Sequence, residues 1–392
     1  MKRLVVCCDG TWNNAEQEAN GIPTPTNVFK LFNLVLDRDT ENNFEQLKYY
    51  HPGVGGEGGL ANKILGGVFA DGLDRHICSA YHWLGLHYEE GDEIFLYGFS
   101  RGAFTARSLS GFLALGLLDL HNLEPDESWS RVHTAYEEGY RPQPQNHDWN
   151  ESGWKLFHDR KPCPIRFVGV WDTVGTLGIP DDLEVFNLFD DKAKWEFHNT
   201  NLGSHIQTAR HAMAMDELRS CFSITRWSNA NVHGDAVELW FPGAHSDVGG
   251  GYAESGLSET ALEWMVEESV NAGLKVRDNF KRLLSASATD VLHNSYKGVF
   301  AKLRSRPRSV PALVPENKEQ GIFHESAYER QTISPIAYAP YRRTKQLEKG
   351  ERLSVDVFAK QHWNVTNLFL RTGEQYRFSA TGEWKDEKDA CD

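Results

Sequence analysis

Short apolar segments alternate with amphipathic segments along most of the chain, and this alternation predicts its secondary structure. Apolar runs of about four to eight residues are typical of buried strands, whereas the longer segments have helical periodicity. The predicted strands are residues 4–8, 94–97, 165–171, 222–227 and 237–241, and the predicted helices are residues 28–36, 76–88, 101–115, 207–215 and 258–270. Strands that alternate with helices favour an α/β fold, with a mostly parallel sheet and helices on both faces.

Two long connections, residues 120–160 and 180–204, stand outside this pattern and are rich in aromatic and charged residues. Their aromatic side chains would either form a cap over the carboxyl edge of the sheet or pack onto the main domain. The candidates in the second connection are Phe186, Leu188, Phe189, Trp195 and Phe197. We treat both connections as cap-like insertions in a main domain that spans residues 1–345.

The composition changes in residues 350–392 to short β-like runs at residues 353–358 and 376–380, with Gly373 and Gly382 at predicted turns. This pattern indicates a β-rich C-terminal segment. The segment would either pair with the main sheet or form the first strands of a β-sandwich that it is too short to complete.

Composition places the chain among ordinary globular proteins. Its 392 residues are 40% hydrophobic and 12% aromatic, which is enough for one large core. The net charge of −14 argues against nucleic acid as a partner, because phosphate binding needs a concentrated basic surface. Residues 297–352 depart from this average, with 12 Lys and Arg against 6 Asp and Glu. That stretch would either make a transient membrane-surface contact or form a solvated face, and its prolines favour the solvated face.

The first residues bear on the location of the protein. Residues 3–8 form an apolar, strand-like run that is shorter than a secretory signal and lacks a small-residue cleavage site. No run approaches the roughly 18 apolar residues of a membrane span. We therefore expect a protein that is cytoplasmic as synthesised. The six cysteines have no metal-ligand spacing, so they do not predict a metal site. No cofactor is expected.

A Gly-x-Ser-x-Gly motif, formed by Gly98, Ser100 and Gly102, joins the strand at residues 94–97 to the helix that follows. In a nucleophile elbow the serine occupies a strained strand-to-helix turn, and the flanking glycines let the strand and the helix pack closely. The same residues would otherwise be an ordinary tight turn that contains serine. The strand before the motif and the helix after it favour Ser100 as a catalytic nucleophile.

A serine hydroxyl needs a histidine base, because it is a weak nucleophile at neutral pH. His245 lies on a glycine-rich turn directly after the strand at residues 237–241, where a base would reach the carboxyl edge of the sheet. It would otherwise be a turn histidine that caps Asp247 or a helix end. His211 lies on a predicted helix and is expected to pack or to support the site, and His205 is a weaker candidate.

The base in turn needs an acid that fixes its tautomer. Asp172 follows the strand at residues 165–171 and gives the chain order Ser-Asp-His, which is typical of α/β-hydrolases. Asp247 is the rival. Because it lies two residues from His245, it would brace the loop more readily than meet the far ring nitrogen. Both carboxylates stay candidates, and Asp172 is favoured.

Asp9, Gly10 and Thr11 follow the first predicted strand. An oxyanion hole needs two N–H donors, and we expect them from Arg101, directly after the nucleophile, and from Gly10 or Thr11. Asp9 would brace this loop or bind a metal. The Asp-Gly-Thr sequence also resembles a motif of haloacid-dehalogenase-type phosphatases, but their nucleophilic aspartate would fall on Cys7, which argues against such a phosphatase.

Five motifs together resemble one known family. They are Asp9-Gly10-Thr11-Trp12-Asn13, Gly98-Phe99-Ser100-Arg101-Gly102-Ala103, Trp171-Asp172-Thr173-Val174-Gly175, residues 211–217 and residues 242–252. Over about residues 1–340 the chain resembles the α/β-hydrolase family that contains type VI secretion phospholipase effectors of the first lipase class. The resemblance implies an α/β-hydrolase fold and a serine hydrolase that cleaves acyl esters of glycerophospholipids. It also implies signal-independent delivery out of the cell and a secretion-system or immunity partner.

The sequence thus predicts hydrolysis of carboxylic esters, above all lipid acyl esters, through an acyl-enzyme. Ser100 would be the nucleophile, His245 the base and Asp172 the acid. The alternative from another functional class is a binding or scaffold module that keeps the fold without turnover. A fluorophosphonate probe separates the two, because it labels only an activated serine.

Overall fold

The computed structural model describes residues 1–10, 13, 17–53, 70–141, 149–150, 152–159, 161–174, 200–332, 344–358, 363–382, 384–386 and 389–391. Its centre is one sheet of seven strands. The strands are β1 (Lys2–Cys8), β2 (Arg38–Asp39), β3 (Phe44–His51), β4 (Glu93–Phe99), β5 (Ile165–Trp171), β6 (Ile206–Ala214) and β7 (Ala236–Phe241). They lie in the order β7-β6-β5-β4-β1-β3-β2, and all are parallel except β2, which pairs antiparallel with β3.

The strand order places a topological switch point at the carboxyl ends of β1 and β4. β1 has both β3 and β4 as parallel neighbours, so the connections that leave β1 and β4 run in opposite directions. Ligands of open α/β sheets bind at such a switch point. β1 ends next to Asp9 and β4 ends next to Ser100, so two of the sequence motifs meet there.

Helices cover both faces of the sheet. They are α1 (Asn27–Leu34), α2 (Ala70–His87), α3 (Arg101–Leu113), α4 (Pro125–Thr134), α5 (His245–Gly249), α6 (Gly256–Asn271), α7 (Phe280–Leu283), α8 (Pro315–Glu319) and α9 (Glu325–Thr332). Side chains of β1 alternate between two cores, as the period of a strand requires. Leu4, Val6 and Cys8 pack with α2 and α3, whereas Val5 and Cys7 pack with α1 and α6. The predicted α/β fold is confirmed.

Several short elements complete the described chain. Strand pairs join Glu18–Ala19 to Ile22–Pro23, Leu117–Leu118 to Leu156–Phe157, Lys345–Gln346 to Leu368–Phe369 and Trp384–Asp386 to Asp389–Cys391. A π-helical turn covers Ala135–Tyr140, and 3₁₀ turns cover Ser220–Phe222 and Gly298–Lys302. Within the described residues, no helix combines the length and apolar character that crossing a bilayer requires.

The predicted helix at residues 207–215 is wrong, because this segment is strand β6. Its alanines and methionines have high helix propensity, but the segment pairs with β5 on one side and β7 on the other. Pairing on both edges and burial override the local preference. Strand β3 was absent from the prediction, because Glu45, Gln46 and Lys48 interrupt its apolar run.

The predicted strand at residues 222–227 is also wrong. The segment begins on the last residue of a 3₁₀ turn, and arginine side chains donate hydrogen bonds to two of its carbonyl groups. Arg308 donates to the Phe222 oxygen at 2.6 Å, and Arg107 donates to the Thr225 oxygen at 2.5 Å. The segment forms one isolated antiparallel bridge, between Ile224 and Val174, and guanidinium groups supply the donors for these two carbonyls.

The described part of the first insertion packs onto α2 and α3. The Trp129 ring stacks on His82 with centroids 4.0 Å apart, and the Tyr136 ring meets Phe112 edge-on at 5.6 Å. Phe112 and Tyr136 belong to the core on that face of the sheet, whereas Trp129 is 43% exposed. In the second insertion, residues 180–199 lie outside the described residues, and with them all five candidate cap side chains.

The β-like runs predicted at residues 353–358 and 376–380 are wrong, because both segments are irregular. Val357 is 48% exposed and Phe378 is 73% exposed. A strand is stable only when its backbone pairs with a neighbour and one face is buried.

Candidate functional site

Ser100 occupies the turn between β4 and α3 in a strained backbone conformation, with φ of 58° and ψ of −119°. Such conformations cluster at functional sites in folded proteins. A Cβ on Gly98 would lie 2.2 Å from the Gly102 oxygen, and a Cβ on Gly102 would lie 2.0 Å from the Cys8 oxygen. Both positions therefore require glycine, because the strand, the turn and the start of the helix are in direct backbone contact.

Asp172 lies at the carboxyl end of β5, the neighbour of β4, and is fully buried. Its Oδ2 atom is 2.6 Å from Nδ1 of His245. The Ser100 N–H group donates to the carbonyl of Trp171 at 3.1 Å, so the nucleophile candidate and the acid candidate sit on adjoining strand ends. The structure thus brings Asp172 into contact with His245, a residue far along the chain, and places Ser100 on the adjoining strand end.

His245 is the first residue of α5, directly after β7 and a tight turn. Gly243 in that turn has φ of 115°, a conformation that other residues adopt only with strain. The imidazole lies 4.6 Å from the ring of Phe99, the residue before Ser100, and 4.9 Å from the ring of Phe222, measured between centroids. These contacts hold the plane of the ring beside the carboxyl end of β4.

Nearby charges and burial determine which ring nitrogen of His245 carries a proton and how its pKa is shifted. Burial alone would raise the pKa of Asp172, but the guanidinium of Arg308 and the hydrogen bond from His245 hold it well below its usual range. Asp172 is therefore a carboxylate that only accepts, and Nδ1 of His245 carries the proton between them. Burial lowers the pKa of His245 below its ordinary value, and Asp172 offsets this only in part.

His211 and His205 lie elsewhere. The His211 ring is fully buried on β6, with Nδ1 3.1 Å from Oε1 of Glu238, and its Nε2 accepts from the Thr173 N–H at 3.1 Å. Both ring nitrogens are engaged, and the second supports the residue after Asp172. His205 precedes β6, at the amino end of the sheet, where its Nε2 lies 3.0 Å from the Ser110 carbonyl.

Asp247 braces the loop that carries His245. Its Oδ2 accepts from the N–H groups of Ala244 and His293 at 2.9 and 3.0 Å, and its Oδ1 lies 2.6 Å from Nδ1 of His293. Among the two carboxylate candidates, Asp172 is therefore the one in contact with the imidazole of His245.

Asp9 is buried after β1 and holds the neighbouring loop. Its Oδ2 accepts from the hydroxyls of Thr26 and Tyr50, both at 2.7 Å, and burial raises its pKa to about 6. The Gly10 N–H donates to Oδ1 of Asp9 at 2.7 Å. This hydrogen bond argues against Gly10 as an oxyanion donor, because a donor committed to a carboxylate is not directed at a developing oxyanion.

Arg101 and Thr11 are the two other oxyanion candidates. Arg101 is the first residue of α3, so its N–H lies at the helix N-terminus directly after Ser100. Thr11 lies outside the described residues, and its role stays a prediction.

Sequence reasoning missed two charged residues at this site. Arg308 donates to both oxygens of Asp172, at 2.6 and 2.9 Å. Glu217 is fully buried, binds the Arg219 guanidinium, and accepts the N–H of His245 at 3.2 Å. The correct assignment of β6 as a strand would have placed Glu217 just past a strand end, a recognisable signal. Arg308 has no local signal, because it lies in an irregular segment far along the chain.

Comparisons with known proteins identify one matching family and several similar proteins. Residues 2–268, more than half of the chain, match the family described as type VI secretion system (T6SS) phospholipase effector Tle1-like, catalytic domain. The chain is 33% identical over 240 residues to the uncharacterized protein YEL023C of Saccharomyces cerevisiae, a match that covers 56% of this chain and 32% of that protein. The chain thus spans about a third of the length of this relative.

Two solved structures are similar in part. One is an uncharacterized protein from Pseudomonas aeruginosa, with a TM-score of 0.44, 18% identity, and coverage of 86% of this chain and 51% of that one. The other is the Tle1 effector bound to the VgrG spike of the type VI secretion system, with a TM-score of 0.37, 25% identity, and coverage of 64% and 51%. From the family match over residues 2–268, we conclude that this chain belongs to the family of Tle1-like phospholipase effector catalytic domains.

Proposed function

We propose that this protein is a serine hydrolase that cleaves acyl esters of phospholipids through an acyl-enzyme. The observation that carries the proposal is the 2.6 Å contact between Asp172 and His245 beside the strained turn of Ser100. Membership in a family described by its phospholipase effectors supports the lipid substrate. A binding module has no need of a buried carboxylate–imidazole pair at this turn.

In the proposed reaction, Nε2 of His245 accepts the proton of the Ser100 hydroxyl, and the Ser100 Oγ attacks the acyl carbonyl carbon. Asp172 holds the Nδ1 proton and stabilises the imidazolium that forms. The N–H of Arg101, with that of Thr11, would donate to the tetrahedral oxyanion. The imidazolium then protonates the leaving alcohol, and a water molecule, activated by the same ring, hydrolyses the acyl-enzyme.

The proposed function is tested on vesicles of a diacyl phosphatidylcholine and on matched vesicles of its dialkyl ether analogue. We expect release of fatty acid and lysolipid from the diacyl vesicles only, because the ether has no acyl carbonyl for Ser100 to attack. A fluorophosphonate probe should label the native protein and leave the heat-denatured protein unlabelled. Absence of both labelling and lipid release would favour the binding-module alternative.

The pH dependence follows from the environment of His245. The base must be neutral to accept the serine proton, so kcat/KM rises with pH through the pKa of His245 in the free enzyme. Burial lowers that pKa. We therefore expect a single acid limb centred below the ordinary histidine value of about 6.5, with activity retained toward neutral pH. The measurement is kcat/KM for a soluble ester between about pH 4.5 and 8, the range that brackets this titration. A limb centred above the ordinary value would contradict the assignment.

Secretion-system association, an immunity partner, membrane contact and delivery out of the cell stay predictions for this chain. The spike complex is a property of the Tle1 effector in the solved structure.

A further inference from the structure

Arg308 makes an unusual set of contacts at the proposed site. Its side chain is 4% exposed, and its two terminal nitrogens point into the region between β5, β6 and the 3₁₀ turn. Nη1 donates to Oδ1 of Asp172 at 2.6 Å and to the Ala214 carbonyl at 2.8 Å. Nη2 donates to Oδ2 of Asp172 at 2.9 Å and to the Phe222 carbonyl at 2.6 Å. One guanidinium thus fixes the carboxylate relative to two backbone segments.

Each oxygen of the Asp172 carboxylate accepts hydrogen bonds from two donors. Oδ1 accepts from Arg308 and from the Ala214 N–H at 2.8 Å, and Oδ2 accepts from Arg308 and from His245. A planar guanidinium that grips both oxygens holds the carboxylate plane, and therefore sets the direction in which Oδ2 faces the imidazole. The positive charge also weakens Asp172 as an acceptor for the Nδ1 proton of His245.

Arg308 lies in residues 304–310, a segment that we call the arginine strap. This strap is hydrogen-bonded to the loop at residues 217–222. The Arg306 N–H donates to the Leu218 carbonyl at 2.8 Å, and the Ser305 hydroxyl donates to the same oxygen at 3.0 Å. In that loop, the Glu217 carboxylate accepts a hydrogen bond from the His245 N–H, and the Phe222 ring packs against the His245 imidazole. The arginine strap therefore supports the site on two sides of the base.

We propose that Arg308 is a positioning residue of this site, which orients the Asp172 carboxylate and sets the proton affinity of His245 through it. The proposal rests on the proposed serine hydrolase function. It extends the site to the arginine strap, a segment beyond the residues 2–268 that match the family.

The expected direction follows from electrostatics. Arg308→Gln removes a positive charge near the imidazolium and leaves Asp172 a stronger acceptor, and both changes favour protonated His245. We expect the pKa of His245 to rise by at least about half a unit, so that the acid limb of kcat/KM moves to higher pH. Arg308→Lys keeps the charge but not the two-pronged grip, so kcat should fall by about tenfold or more while KM and the limb stay near wild type.

Two readouts separate this inference from the proposed function. The pKa of His245 is measured by NMR titration of histidine side chains in Ser100→Ala protein, with and without Arg308→Gln, and the resonance is assigned by its loss in His245→Gln. This readout needs no turnover. A wild-type protein without esterase activity would overturn the proposed function, whereas an unchanged or lowered pKa in the Arg308→Gln protein would overturn the role of Arg308.

The matched control is Arg306→Gln, an exposed arginine on the same strap, which should leave the pKa, kcat and KM unchanged. An equal upward pKa shift in this control would attribute the effect to general charge and overturn the proposal. If Arg308→Gln does not fold, Arg308→Lys decides: reduced kcat with the wild-type KM supports the proposal, and wild-type kcat overturns it.

Discussion

Replacement of Ser100 by alanine is expected to abolish ester hydrolysis. The hydroxyl is the group that would form the acyl-enzyme, and loss of a catalytic serine in such sites costs on the order of 10⁴- to 10⁶-fold in kcat. Alanine keeps the Cβ atom and meets the same backbone strain at φ of 58°, so the fold should survive. The rate is measured with p-nitrophenyl acyl esters, and folding is followed by circular dichroism and thermal unfolding.

The matched control is Ser246→Ala, which removes a hydroxyl next to His245 in the chain and should keep most of the activity. A folded Ser100→Ala protein with the wild-type rate would remove Ser100 as the nucleophile. It would also leave the strained turn without a catalytic explanation.

The second large effect is expected for Asp172→Asn. An amide nitrogen in place of Oδ2 would donate to the imidazole and stabilise the wrong tautomer, which costs about 10⁴-fold in kcat in a serine triad. The same change leaves the buried Arg308 guanidinium without its counter-charge, so the melting temperature should fall as well. Turnover is therefore measured well below the melting temperature of the variant.

Asp247→Asn is the comparison that tests the choice of acid. Asp247 contacts the Ala244 and His293 backbone and the His293 ring, so its amide variant should loosen the loop and cost much less than Asp172→Asn. The opposite ranking of the two variants would transfer the role of acid to Asp247.

The positions of the Ser100 turn and of Asp172 were predictable because each is a local pattern at a strand end. Gly98, Ser100 and Gly102 follow an apolar strand, and Asp172 follows another, so chain order and strand periodicity placed them at one edge of the sheet. The prediction failed where local preference and tertiary pairing disagree. Strand β6 has a helix-favouring composition, and this error hid the position of Glu217.

The sequence by itself determined the fold class, the nucleophile candidate and the order of the site residues along the chain. Those properties depend on hydrophobic period and on short motifs, which act within a few residues. Only the tertiary structure decided that Asp172 contacts His245, that Asp9 accepts a hydrogen bond from the Gly10 N–H, and that Arg308 donates to Asp172. These contacts join residues that are distant in sequence or depend on the path of a loop. Burial then strengthens the electrostatic interactions between their charged groups, because little water remains to screen them.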